Sequence, residues 1–280
     1  MLSQLTLAGK PAGSSHAGFL VSSSGVAGSS YGGGMPDVPE EDLIAWIRAC
    51  VSSLRDVDGF TVERAHSDEF LLLYGLIART FRYSNAYLTL LDAEMEGEAV
   101  PLARAALEHA ITLQWVFVVD GGVMKFRNSV AHDRVEHYGK LAEWLDNDEL
   151  REALTELEPL PEGSRLGKFM AMVRDLDEGT FLETSYHVLS QHVHVTHSAV
   201  TSFLRPGEGE MHILYDQEYA YRYQATYAAA VSCMLARWVL ARLTNDDALL
   251  ESLDRASDEL HLPMQLADQV KAPRKRRTGI

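Results

Sequence analysis

Basic side chains are scarce in this chain. Twenty-five Lys and Arg stand against 40 Asp and Glu, giving a net charge of −15. Five of the basic residues sit in the last ten positions, KAPRKRRTGI, so the rest of the chain carries about −20. A body this acidic repels phosphate backbones and excludes nucleic-acid binding over its whole surface; only local basic patches, or the short tail, are left for such a partner. Cysteine is nearly absent as well. Cys50 and Cys233 form no C-x-x-C pair and lie in apolar surroundings, which excludes a disulfide framework and predicts buried thiols in a reducing compartment. No apolar run follows a basic flank at the N-terminus, and the most apolar later stretch, ATYAAAVSCMLARWVLARL, is interrupted by Arg237 and Arg242. The expectation is a soluble, cytoplasmic protein with no membrane partner. Nucleotide-binding glycine loops with a strand-to-helix setting are missing too; the glycines at 32–34 belong to a Gly/Ser-rich leader.

What is present is a helical pattern. From Pro39 onward apolar residues recur near every 3.6 positions, broken by short acidic or Gly/Pro connections. The spacing predicts helices at about 39–55, 64–92, 99–119, 122–146, 148–157, 164–176, 180–203, 217–244 and 246–260. Only MHILYD, Met211 to Asp216, reads as extended. The predicted fold is therefore an all-α multi-helix bundle in a single domain, 37–262, behind a disordered leader, 1–36, and before a basic flexible tail, 263–280. Residues 143–158 carry seven carboxylates against one arginine and read as a solvated face.

One helix should run through the core. VPLARAALEHAITLQWVFVV opens on Pro101, suited to a first turn, and is apolar almost all round. It nevertheless carries Arg104 and Glu108, four apart on one face, and a buried charge persists only when paired. A second signal is ETSYHVLSQHVHVTHSAVT. Placed on one helix at about 100° per residue, Glu183, His187, Ser190, His194, His197 and Thr201 share a narrow stripe beside an apolar one. Three histidines and a serine in that row suggest a hydrogen-bonded network or a site. The combination of R-x-x-x-E, Arg104 and Glu108, with a later Y-x-x-x-S-x-x-x-H, Tyr186, Ser190 and His194, resembles the bacterial domain-of-unknown-function family 5677 over about Phe70 to Leu204. The resemblance implies a helical core in which these residues face one another, and implies no activity.

RNSVAH, Arg127 to His132, points elsewhere. Its R-N-x-x-x-H spacing is similar to the signature of the HEPN superfamily (higher eukaryotes and prokaryotes nucleotide-binding), whose active members are dimeric, metal-independent ribonucleases. That resemblance implies His132 exchanging protons with the 2′-hydroxyl or the leaving 5′-oxygen, Arg127 stabilising transition-state charge and Asn128 orienting phosphate or histidine. RNA would be the partner. On one regular helix, however, Arg127 points with Val130, Leu141 and Leu145 towards the expected core, while His132 lies about 140° round the axis. The structural alternative is Arg127 reaching a carboxylate such as Glu108, with His132 an ordinary exposed side chain.

Metal and hydrolase chemistry find less support. His192, His194 and His197 cannot all face one ion on either a helix or a strand, and Glu63 to His66 supplies a single E-x-x-H where a di-iron bundle needs two. Ser190 lacks a nucleophile elbow. Two readings follow, neither calling for a metal or a cofactor. In the first, Arg104, Glu108, Ser190, His194 and His197, joined by Tyr186, form an internal polar network in a binding or interaction module, shaping a small-molecule pocket or a partner interface within a homodimer. In the second, Arg127, Asn128 and His132 make the chain a HEPN-like RNase of the toxin or phage-defence type.

Overall fold

Two apolar stretches have no polar face to offer water, and the bundle is built on them. The computed structural model describes residues 38–266 apart from 58, 157–159, 178–180, 208–209 and 215–218; the leader and the tail beyond 266 lie outside the described residues. In chain order the elements are α1 (Glu40–Arg55), a 3₁₀ turn (Arg64–His66), α2 (Ser67–Asp92), α3 (Glu96–Val118), α4 (Gly122–Leu145), α5 (Asp148–Thr155), α6 (Phe169–Leu176), α7 (Phe181–Ser190), α8 (His197–Thr201), β1 (Leu204–Pro206), β2 (Met211–Ile213), α9 (Arg222–Thr244) and α10 (Asp247–Leu260). The all-α bundle expected from the periodicity is the fold. Helices α3 and α9 are its two inner members: α3 packs against α2, α9, α4, α6 and α7, while α9 also holds α1, α2 and α10. Pro101 lies six positions into α3 rather than in its opening residues, since the helix begins at Glu96.

The packing of α1 on α9 is in parallel register. Trp46 donates to the Ala230 carbonyl (3.3 Å) and Arg237 to Ser53 (2.6 Å), and these contacts straddle Cys50 and Cys233. The fold thus brings the two thiols together, both fully buried and free. Burial and the neighbouring Cys233 push the Cys50 thiol well above its usual range, so neither is an available nucleophile. At the start of α9, Arg222 bridges Glu40 (3.1 Å) and Glu96 (2.5 Å), and Thr226 donates to Glu40 (2.7 Å) while accepting from the Tyr87 hydroxyl (2.6 Å). Leu262 and Leu266 are buried, with the Leu266 amide on Gln114, so the packed region extends past residue 262.

Burial raises the hydroxyl pKa of Tyr87, Tyr219 and Tyr227, the last to about 12. A folded-state pKa above the unfolded value of about 10 contributes stability that is complete below pH 10 and is lost as pH rises towards the folded value. Urea midpoints should therefore hold to about pH 10 and fall between pH 10 and 12. Absorbance at 295 nm should show these three phenols ionising with unfolding, after the exposed ones.

Three expected helices are shorter than the periodicity implies; the one expected at 164–176 begins only at Phe169. The stretch 180–203 is not one helix. Thr196 accepts a hydrogen bond from the Ala199 amide (3.2 Å) and so caps a new helix, α8, while its own hydroxyl donates to the Gln191 carbonyl. Residues 191–196 between the helices form turns, with the His192 ring packed edge-on against Tyr219 (4.4 Å). Of the stretch expected at 217–244, residues 217 and 218 lie outside the described residues, 219–221 are not helical, and α9 begins at Arg222. MHILYD supplies a true strand, β2, pairing antiparallel with β1 in the register Leu204↔Ile213, Arg205↔His212 and Pro206↔Met211.

Candidate functional site

Four of the residues singled out above meet at the junction of α3 and α7. Ala103, Ala106, Leu107 and Ala110 bury one side of α3, which turns Arg104 and Glu108 to the seam with α7. There Arg104 Nε donates to Ser190 Oγ (2.9 Å), and Nη2 donates to Glu108 Oε1 (3.3 Å) and to the Tyr186 hydroxyl. Tyr186 donates in turn to Glu108 Oε1 (2.6 Å), and Ser190 donates to the Tyr186 carbonyl one turn back (2.7 Å). The guanidinium also lies over the Tyr186 ring at 4.5 Å, and Phe169 of α6 packs against that ring at 4.7 Å. Phe169 is a member that sequence reasoning missed; an aromatic at the head of a short amphipathic helix was its only signal.

The chemistry of this arrangement is closed. Ser190 spends its proton on a backbone carbonyl, so no base activates it. Burial and the carboxylate of Glu108 raise the Tyr186 hydroxyl above its ordinary value, which keeps it a neutral donor. Arg104 is 16% exposed and Glu108 31%, so the ion pair is largely withdrawn from solvent and satisfied internally. Such a network fixes three helices in register. His194 and His197 are not part of it: the helix that would have carried them ends at Ser190, and both side chains are exposed. Among the described residues no group of three or more His, Cys, Asp or Glu is placed to hold a metal ion.

The RNSVAH residues sit on α4 and separate. Arg127 is exposed, contrary to the inward orientation expected for it, and so are Val130 and Leu145. The reason is that the core contacts of α4 come from Val123 and Phe126 near its start, not from the later apolar row. Asn128 is buried, donating to the Ser164 carbonyl (3.2 Å), and Ser129 accepts from the Leu166 amide (2.8 Å), so this turn of α4 anchors the segment leading to α6. His132 is half-buried on the Asn128 side of the helix. The arginine and histidine therefore do not converge on a common groove, nor does Arg127 reach Glu108, which is committed to Arg104 and Tyr186.

Beyond Ala131, α4 leaves the core and is accompanied by α5, which buries none of its side chains fully. Asn147 caps α5 through the Leu150 amide (2.9 Å), and Arg151 ties the hairpin by bonding the Ala142 carbonyl (3.4 Å) and Asp146 (2.9 Å). Between the two helices runs a shallow apolar groove lined by Arg134, Tyr138, Leu150, Ala153 and Leu154.

The Arg104–Glu108 and Tyr186–Ser190 pairs fall within residues 70–211, where the sequence matches the model of DUF5677, a family of unknown function, over just over half the chain. The chain belongs to the DUF5677 family. The matched region runs from within the first turn of α2 to the first residue of β2 and so contains both the network and the α4–α5 hairpin, whereas α1, α9 and α10 lie outside it. In this DUF5677 protein, then, α3 of the inner helix pair falls within the matched region and α9 lies outside it. No curated protein and no solved structure matches the chain. No helix among the described residues is long and apolar enough to cross a membrane.

Proposed function

We propose that this DUF5677 protein is a binding module whose docking face is the α4–α5 hairpin. The observation that carries the reading is Trp144, 81% exposed at the end of α4, beside Leu145 at 51% and with Val130, nearly four turns earlier on the same helix, at 43%. Single exposed apolar residues are ordinary, but a row of them along one helix next to an apolar groove is the composition of a partner interface. Tryptophan is also the residue type that most often dominates such contacts. The polar network supports this reading indirectly: with Arg104, Glu108, Tyr186 and Ser190 satisfied by one another, it fixes α3, and α4 continues from the end of α3 through a turn closed by the Gly122 amide on Val119 (2.8 Å).

A photo-activatable residue in place of Leu145, introduced in the cells that make the protein, tests the reading. Irradiation should give an adduct of discrete mass from position 145 and none from position 251 on the exposed face of α10. Equal, diffuse labelling at both positions would contradict a dedicated docking face.

A further inference from the structure

The outward row on α4, exposed except at the half-buried Leu141, has a coiled-coil period. Arg127, Val130, Arg134, His137, Leu141 and Trp144 alternate in steps of three and four, the spacing of an a/d seam, while α5 covers the neighbouring flank at Arg134 and Tyr138. A seam of that length, on which no helix among the described residues packs, is suited to another helix. Its composition selects which one. Laid parallel on a second copy of itself, the row would set Arg127 against Arg127 and Arg134 against Arg134, stacking like charges. Laid antiparallel, it becomes self-complementary: Arg127 meets Trp144 of the second copy in a cation–π contact, Val130 meets Leu141, and Arg134 meets His137, whose ring offers a nitrogen acceptor. The flanking charges agree with the same register, which brings Asp133 beside Lys140 of the second copy on each side of the two-fold axis. Lys140 bonds Glu136 of its own helix (2.6 Å), an exposed i,i+4 pair that can open to let the ammonium shift.

Resting on the docking reading above, we infer that the occupant of this face is a second copy of the chain, paired through α4 in antiparallel register with Val130 opposite Leu141.

Disulfide mapping on the full chain tests the register. In the Val130→Cys, Leu141→Cys double variant the two sites lie about 16 Å apart on one helix and cannot close within a chain. Native Cys50 and Cys233 are buried and do not interfere. With diamide as oxidant, the double variant should convert to a covalent dimer and Val130→Cys alone should not. Asp133→Lys and Lys140→Asp should each slow that conversion several-fold, and the two together should restore it, because the pair is then re-formed with its signs exchanged. Circular dichroism verifies folding, and all four positions lie outside the core. A double-cysteine variant that stays monomeric, a Val130→Cys chain that dimerises as readily, or charge changes that do not compensate would overturn the inference. Failure here together with an adduct of another protein at position 145 would leave the docking reading standing and remove only the second copy. Failure of both experiments would remove the docking reading as well.

Discussion

Replacing Gly122 with alanine should destabilise the protein by about 3 kcal/mol, near the upper end of what inserted bulk costs a packed structure. A Cβ at this position would lie 2.5 Å from the Val116 carbonyl oxygen and 3.0 Å from its carbon and Cα. These are backbone atoms in the last turn of α3, held by the helix itself, so no side chain can swing aside. The adjacent Gly121 makes the matching control. It has φ 72°, a left-handed conformation, but a Cβ there meets open space. Gly121→Ala should therefore cost only the conformational penalty, about 1 kcal/mol. Urea denaturation of the two variants separates steric exclusion from backbone strain. Equal losses would mean that the α3–α4 turn is less tightly closed than the Gly122 amide on Val119 (2.8 Å) implies.

Arg104→Ala should cost about 2–3 kcal/mol, somewhat below the loss typical of a broken, fully buried pair because Glu108 keeps partial access to water. The substitution removes the donor to Ser190 and one of two donors to Glu108, and withdraws the plane stacked on Tyr186. Arg104→Lys should recover little of the loss: one ammonium has no planar fork with which to bond Ser190, Glu108 and Tyr186 while lying flat on a ring. Ser190→Ala should cost about 1 kcal/mol, the worth of one hydrogen bond partner. An Arg104→Ala protein with the wild-type urea midpoint would show that the network does not hold the α3–α7 seam.

The inner helix and its ion pair were legible in the sequence for a simple reason. An apolar stretch with two opposite charges four residues apart has one way to be buried, and α3 adopts it with Arg104 on Glu108. The orientation of α4 was not legible, because helical periodicity reports an apolar face without saying what covers it. Val130, Leu141 and Leu145 have the spacing of core residues, yet Val130 and Leu145 face solvent and Leu141 is only half-buried. Arg127 in the same row, with the 81% exposed Trp144 continuing it, is where the sequence departs from a core face. The end of α7 was hidden differently. Residues 181–203 satisfy a helical wheel throughout, and a single threonine hydroxyl, capping α8 at the Ala199 amide, breaks the row and carries His194 and His197 away from Ser190.

Sedimentation equilibrium of the full, unmodified chain, beside Leu141→Asp, tests the central claim most directly. The self-complementary α4 face predicts that the wild-type chain sediments at twice its 31.1 kDa at tens of micromolar, and that a carboxylate in the apolar Val130–Leu141 layers of the seam returns it to 31.1 kDa with its helical content unchanged. A wild-type chain that sediments at 31.1 kDa across that range would contradict it.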